Sequence, residues 1–165
     1  MTPTPRTAGA TLARWTRGET EIERLLSRRE LQRVAGASAN GRPLLDHAKS
    51  TAATAATLTG TDAYSAYILA YDAARFACTA LLAQQGLRPT TDGGHTAVAD
   101  AVRAQFGQGF RPFATMRRRR NELEYPNVPG ETVTSAEAQQ AVSDATAIIT
   151  AAGQLLDQLP LFSQA

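Results

Sequence analysis

Cysteine, lysine and tryptophan each occur once in these 165 residues, and histidine only twice. The lone Cys78 excludes an internal disulfide, and one cysteine with two histidines cannot build a Cys/His zinc cage. No apolar run reaches the roughly 18 residues that would span a bilayer, and the opening MTPTPRTAGATLARW has no apolar core of the signal-peptide kind. The expectation is therefore a cytoplasmic protein with no membrane segment, no metal and no cofactor. Charge of one sign is also scarce, because the formal net charge is only +2. Lys49 is the one lysine, so the positive charge is almost all guanidinium, and where the arginines gather matters more than their number. What the chain does have is 43% hydrophobic residues against 19% charged, the composition of a globular protein.

Residues 1–18 hold Pro3, Pro5, Gly9 and Gly18 without a periodic apolar face and read as an N-terminal arm, with Trp15 available to pin its end. Residues 19–165 read as a single domain. A first helix is expected over TEIERLLSRRELQRV, acidic at its start and basic later as the helix dipole favours. A second follows the break at 36–43, on a thin stripe of Leu44, Leu45, Ala48, Ala52, Ala55 and Leu58. The clearest helix starts at a Thr61 or Asp62 cap and runs to Gln85, ahead of Gly86. One face of it carries Tyr64, Tyr67, Tyr71, Cys78 and Leu81, with Arg75 in the middle of that face. Shorter helices are expected from Thr96 and from Pro112, and a last one from a Ser135 cap. No alternating strand pattern competes with these. The fold class is all-α, an antiparallel bundle of four to six helices.

The segment RRRRNELEYP, residues 117–126, concentrates the chemistry. At 100° per residue from Phe113, Met116 and Leu123 define an apolar side near 300° and 280°, and Arg120 at about 340° falls within it. Glu124 and Arg117 flank that side, whereas Arg118 points away and Arg119 lies between. A guanidinium held there needs a partner or a ligand. One reading is an ion pair with Glu124, one turn on. The other is a grip on phosphate through two parallel hydrogen bonds, with Arg117, Arg111 and Arg119 adding positive field.

Arg75, among tyrosines, is expected to pair with Asp72 or Glu124 as structural support, or to stack on an aromatic ring. His95, after two glycines, reads as a turn or capping residue, and His47 as an exposed or packed one. Either becomes a candidate base if folding carries it to Arg120. The tyrosine stripe is expected to be core, and Cys78 to be inert.

Arg120 and Asn121, followed after three residues by Tyr125 and Pro126 and preceded by the long helix YSAYILAYDAARFACTALLAQQGLRPT, resemble the HEPN family of small helical bundles over about residues 40–160. The resemblance implies a homodimer. It also implies metal-independent endoribonuclease chemistry of the bacterial toxin–antitoxin or phage-defence type, in which Arg120 binds the scissile RNA phosphate at a dimer cleft and Asn121 positions it. The family's histidine, four to six residues after the arginine, is missing: Tyr125 stands at that spacing and no histidine follows Arg120. Glu124 or Tyr125 would have to assist in its place, Glu124 being the better acceptor since a tyrosine's ordinary pKa is about 10. The alternative implied by the same resemblance is a non-catalytic module that binds RNA, a nucleotide, or a partner such as an antitoxin or nucleotidyltransferase. Tyr125 would then be a residue such a partner could modify.

Overall fold

The computed structural model describes residues 12–162. The chain runs α1 (Glu19–Ser27), β1 (Leu31–Arg33), a 3-10 turn (Gly36–Ser38), α2 (Arg42–Leu58), α3 (Ala63–Gln84) and β2 (Leu87–Pro89). It continues through α4 (Gly94–Phe106), a second 3-10 turn (Gly107–Phe110), α5 (Arg111–Glu124) and α6 (Ser135–Leu156). The fold is thus mostly helical, with α3 at its centre between α2 and α6, α4 and α5 packed on α3 as well, and α1 on α4.

The centre is built from alanine. Ala66, Ala70, Ala73, Ala74, Ala77 and Ala80 of α3 are fully buried, and Ala48 and Ala55 of α2 meet them. Methyl side chains let two helix backbones approach closely, and alanine loses no rotamer freedom in a helix. Close approach is acute at Gly41, where a Cβ would land on the Ala80 carbonyl oxygen of α3. Its own N–H donates to Gln84 Oε1 at 3.0 Å, which ties the start of α2 to the end of α3. By length and composition α3 is apolar enough to cross a membrane, which the sequence reading did not expect, but 67% of that window is buried inside the bundle.

Several local expectations are corrected. The first helix stops at Ser27 because Arg29 turns to φ 59, and Leu31–Arg33 then pairs antiparallel with Leu87–Pro89, Leu31 opposite Pro89. Three-residue strands are too short to show a two-residue alternation, so no pattern betrayed them. The cap of α6 is Thr134, whose hydroxyl accepts from Glu137 N–H at 3.1 Å, and not Ser135, which donates to the Thr59 carbonyl at 2.7 Å. Asp62 does cap α3, accepting from Ser65 N–H at 3.0 Å. Tyr64 leaves the tyrosine stripe: it is 40% exposed, and its hydroxyl donates to the Leu123 carbonyl at 3.0 Å. That bond fastens the end of α5 to the start of α3.

The N-terminal arm expected over 1–18 lies outside the described residues as far as residue 11. Beyond it, Trp15 packs against Phe106 of α4 with ring centroids 5.4 Å apart, as a pin would.

Candidate functional site

α5 presents its arginines to three different surroundings, and helix geometry decides which is which. Phe113, Met116 and Leu123 are buried, so the side that faces the bundle is the one carrying Arg120. Arg120 is only 25% exposed in its side chain and forms an ion pair through Nη1 with Glu124, one turn on. Its Nε is buried and has no hydrogen-bond partner among the described residues. The ion-pair reading and the inward-turned reading thus both describe Arg120, on different edges of one guanidinium.

Two more arginines repeat the pattern. Arg117 sits one turn back on the same side of α5, and its Nε is likewise buried and unpartnered among the described residues. Arg75, from α3, lies over the Phe76 ring with its guanidinium carbon 4.6 Å from the centroid, and its Nη2 is 3.6 Å from Asp72. Of the two carboxylates expected for Arg75, Asp72 is the one engaged, and Arg75 Nε too is buried without a partner. A buried N–H with no acceptor loses its water bonds for nothing, so each of the three asks what could accept from it.

The three guanidiniums bear on a single hydrogen-bonded pair. Tyr71 of α3 is fully buried and stacks on Phe113 with centroids 5.6 Å apart and planes 3° from parallel. Its hydroxyl meets His95 Nδ1, from the first turn of α4, at 2.9 Å. Burial pushes the Tyr71 phenol up to about 12, against the field of Arg75, Arg117 and Arg120, so it stays protonated. His95 is exposed overall, yet partial burial of its ring lowers its pKa from the usual 6.5. Arg75, Arg120 and Arg117 push it the same way, while Asp72 opposes them. The approach of α4 depends on Gly93, where a Cβ would strike the Glu30 carbonyl oxygen. His47, the other histidine, is exposed and packs edge-on against the far partner of Arg75, the Phe76 ring, at 4.5 Å.

Other expected site residues stand elsewhere. Arg119 is engaged on the opposite flank by Glu137 at 2.6 Å, Glu131 at 2.7 Å, Glu122 at 3.4 Å and the Thr132 carbonyl at 3.0 Å. These carboxylates raise its pKa and tie α5 to α6 through the 125–134 loop, so its donors are committed within the fold. Arg111 lies nine residues before Arg120, about half a turn out of phase, and borders a recess with Arg118 and Asp144 instead. Asn121 and Glu124 are exposed, and Tyr125 is 74% exposed at the C-cap of α5, its N–H donating to the Asn121 carbonyl at 2.9 Å. Glu124 serves Arg120 as counter-ion and has no burial of the kind that makes a carboxylate a proton store.

Arg119→Ala is expected to remove the tie between α5 and α6 and to lower the melting temperature by several degrees, because it strips partners from three carboxylates at once. A melting curve superimposable on wild type would mean the network is merely solvated.

Compared with known protein families, curated proteins and solved structures, the chain shows no match. The chemistry of the cluster therefore carries the functional reading. Three guanidiniums against the carboxylates of Asp72 and Glu124 leave an excess of positive charge beside a neutral imidazole. That arrangement suits an anion with several acceptor oxygens.

Proposed function

We propose that this protein is an HEPN-like, metal-independent endoribonuclease of the toxin–antitoxin or phage-defence type, working as a homodimer in the cytoplasm. Arg120 and Arg117 grip the scissile phosphate, with Arg75 behind them. The observation that carries the reading is the set of three buried Nε–H groups on Arg75, Arg117 and Arg120, unpartnered among the described residues, on guanidiniums whose field acts on the Tyr71–His95 pair. An RNA phosphate bound at the outer edges of these guanidiniums would neutralise their mutual repulsion. Exposed Tyr125 and Val128, just past the end of α5, offer apolar surface where a second copy could lie.

A second reading is favoured by one specific feature. The position four to six residues after Arg120 lacks the histidine of the resembling family, and Glu124 is already committed to Arg120. On that reading the cluster binds RNA or a nucleotide without turnover and answers to a partner nucleotidyltransferase or antitoxin.

Incubating the purified protein with single-stranded RNA in EDTA separates the two. Cleavage is expected, leaving 2′,3′-cyclic phosphate ends, together with binding that weakens steeply as salt rises. Arg117→Ala is expected to weaken RNA binding about tenfold, as loss of one charge-assisted hydrogen bond implies. Salt-sensitive binding with intact RNA would establish the second reading, and no binding at all would dismiss both.

A further inference from the structure

The imidazole that α5 lacks is supplied by α4. We propose that His95, oriented through Nδ1 by the Tyr71 hydroxyl, is the group that takes the ribose 2′-hydroxyl proton at the Arg75–Arg117–Arg120 site. The inference rests on the reading that this site holds RNA, and deepens it by naming a catalytic residue outside the arginine segment.

Geometry is the first argument. The Tyr71 ring is clamped flat against Phe113 and fully buried, so its hydroxyl is a fixed point, and His95 Nδ1 lies 2.9 Å from it. A histidine whose one nitrogen is held by a fixed partner has its other nitrogen aimed. In the tautomer this inference requires, Nδ1–H donates to the Tyr71 oxygen and Nε2 carries the lone pair, and among the described residues nothing else hydrogen-bonds to the ring. Tyr71 can play this accepting part without ionising, since burial holds its phenol proton to about 12.

Charge is the second argument. The groups that act on His95 are Tyr71, Asp72 and Arg75 from α3 and Arg117 and Arg120 from α5. Burial and the three guanidiniums keep the ring in its neutral, proton-accepting form near neutral pH. A bound phosphate reverses that field: its negative charge makes the imidazolium easier to form. The base is therefore held ready while the site is empty and strengthened when the substrate arrives.

The step balances without any co-reactant. The 2′-hydroxyl proton passes to His95 Nε2, the 2′-oxygen forms a bond to phosphorus, and the bond from phosphorus to the 5′-oxygen breaks. The leaving 5′-oxygen takes up a proton, which restores neutral His95, and the products are a 2′,3′-cyclic phosphate and a 5′-hydroxyl. Negative charge that accumulates on the phosphoryl oxygens meets Arg120 and Arg117. Glu124 is paired with Arg120, and His47, packed on the Phe76 ring, has no hydrogen-bond partner among the described residues to orient it.

The test compares wild type, His95→Gln, Tyr71→Phe and His47→Gln on one short single-stranded oligoribonucleotide and its all-2′-deoxy counterpart. His95→Gln is expected to lower kcat by about 10²–10⁴-fold, the usual worth of a general base, with the dissociation constant for the uncleavable deoxy strand unchanged. Tyr71→Phe keeps the stacked ring and removes only the hydroxyl, so a smaller fall in kcat and a displaced pH profile are expected. In wild type the acid limb of kcat/KM should lie below pH 6.5, where free His95 titrates, and the acid limb of kcat should lie higher, where bound phosphate has raised it. Wild-type cleavage that survives His95→Gln with an unaltered pH profile overturns the inference and leaves the RNA reading standing. Loss with His47→Gln instead does the same. Wild type that binds RNA without cutting it overturns the catalytic role, and wild type that does not bind RNA removes the reading beneath it.

Discussion

Phe113→Ala is expected to destabilise the protein by about 3–5 kcal/mol, the range for deleting a buried aromatic side chain and leaving its cavity. Phe113 is 1% exposed and lies where α5 meets α3, its ring face to face with Tyr71. A domain of this size has about 5–15 kcal/mol of stability, so the variant should fold near its margin. Phe113→Leu, which refills most of the volume, should cost much less. Denaturant unfolding monitored by circular dichroism gives both numbers. A cost below about 1 kcal/mol for the alanine variant would mean that the stack contributes little and that α5 is held elsewhere, by Tyr64 and Arg119. The effect should reach the site as well. Without the Phe113 ring, Tyr71 loses the face that fixes its hydroxyl, and the His95 bond should loosen even in molecules that remain folded.

Periodicity made much of this visible in advance. The bounds of α3 with its Asp62 cap and of α6 stand where their patterns put them, but α3 is buried on nearly every side rather than along one stripe, because its alanines pack against helices on both flanks. The inward turn of Arg120 was legible for the same reason: Phe113, Met116 and Leu123 fix the buried side of α5, and Arg120 lies within it. Arg111 was misjudged because nearness in sequence is not nearness around a helix. Nine residues are two and a half turns, and the same 100° step that turned Arg120 inward turns Arg111 outward. Arg119 needed the 125–134 loop to be folded before Glu131 and Glu137 could claim it. Nothing local could pair Leu31 with Pro89 or His95 with Tyr71, since each depends on how separate segments pack and not on any repeat within one. Gly93 and Gly94 were a signal of sorts: two glycines before a histidine permit a close approach, but they do not say to what.

On the proposed function, Arg120→Ala is expected to reduce RNA cleavage by about 10²–10³-fold, the scale on which removing one donor to a developing phosphoryl charge is felt. Stability should barely move, because a partly exposed i,i+4 ion pair contributes only about a few tenths of a kcal/mol. Glu124→Gln is the informative companion, since two ideas about Glu124 give it opposite signs. As the proton acceptor in place of the missing histidine, Glu124 would lose its basic oxygen and cleavage would collapse alongside Arg120→Ala. As the counter-ion it is in the structure, its removal frees the Nη1 edge of Arg120 for phosphate, so RNA should bind several-fold more tightly and cleavage should persist. On the proposed function, Glu124 is a counter-ion that holds the Arg120 guanidinium in place and that a phosphate would displace. Steady-state cleavage and fluorescence-anisotropy binding on the same two variants read the sign directly. A glutamine variant that binds RNA normally but no longer cuts it would return the base to α5 and remove the reason for seeking one on α4.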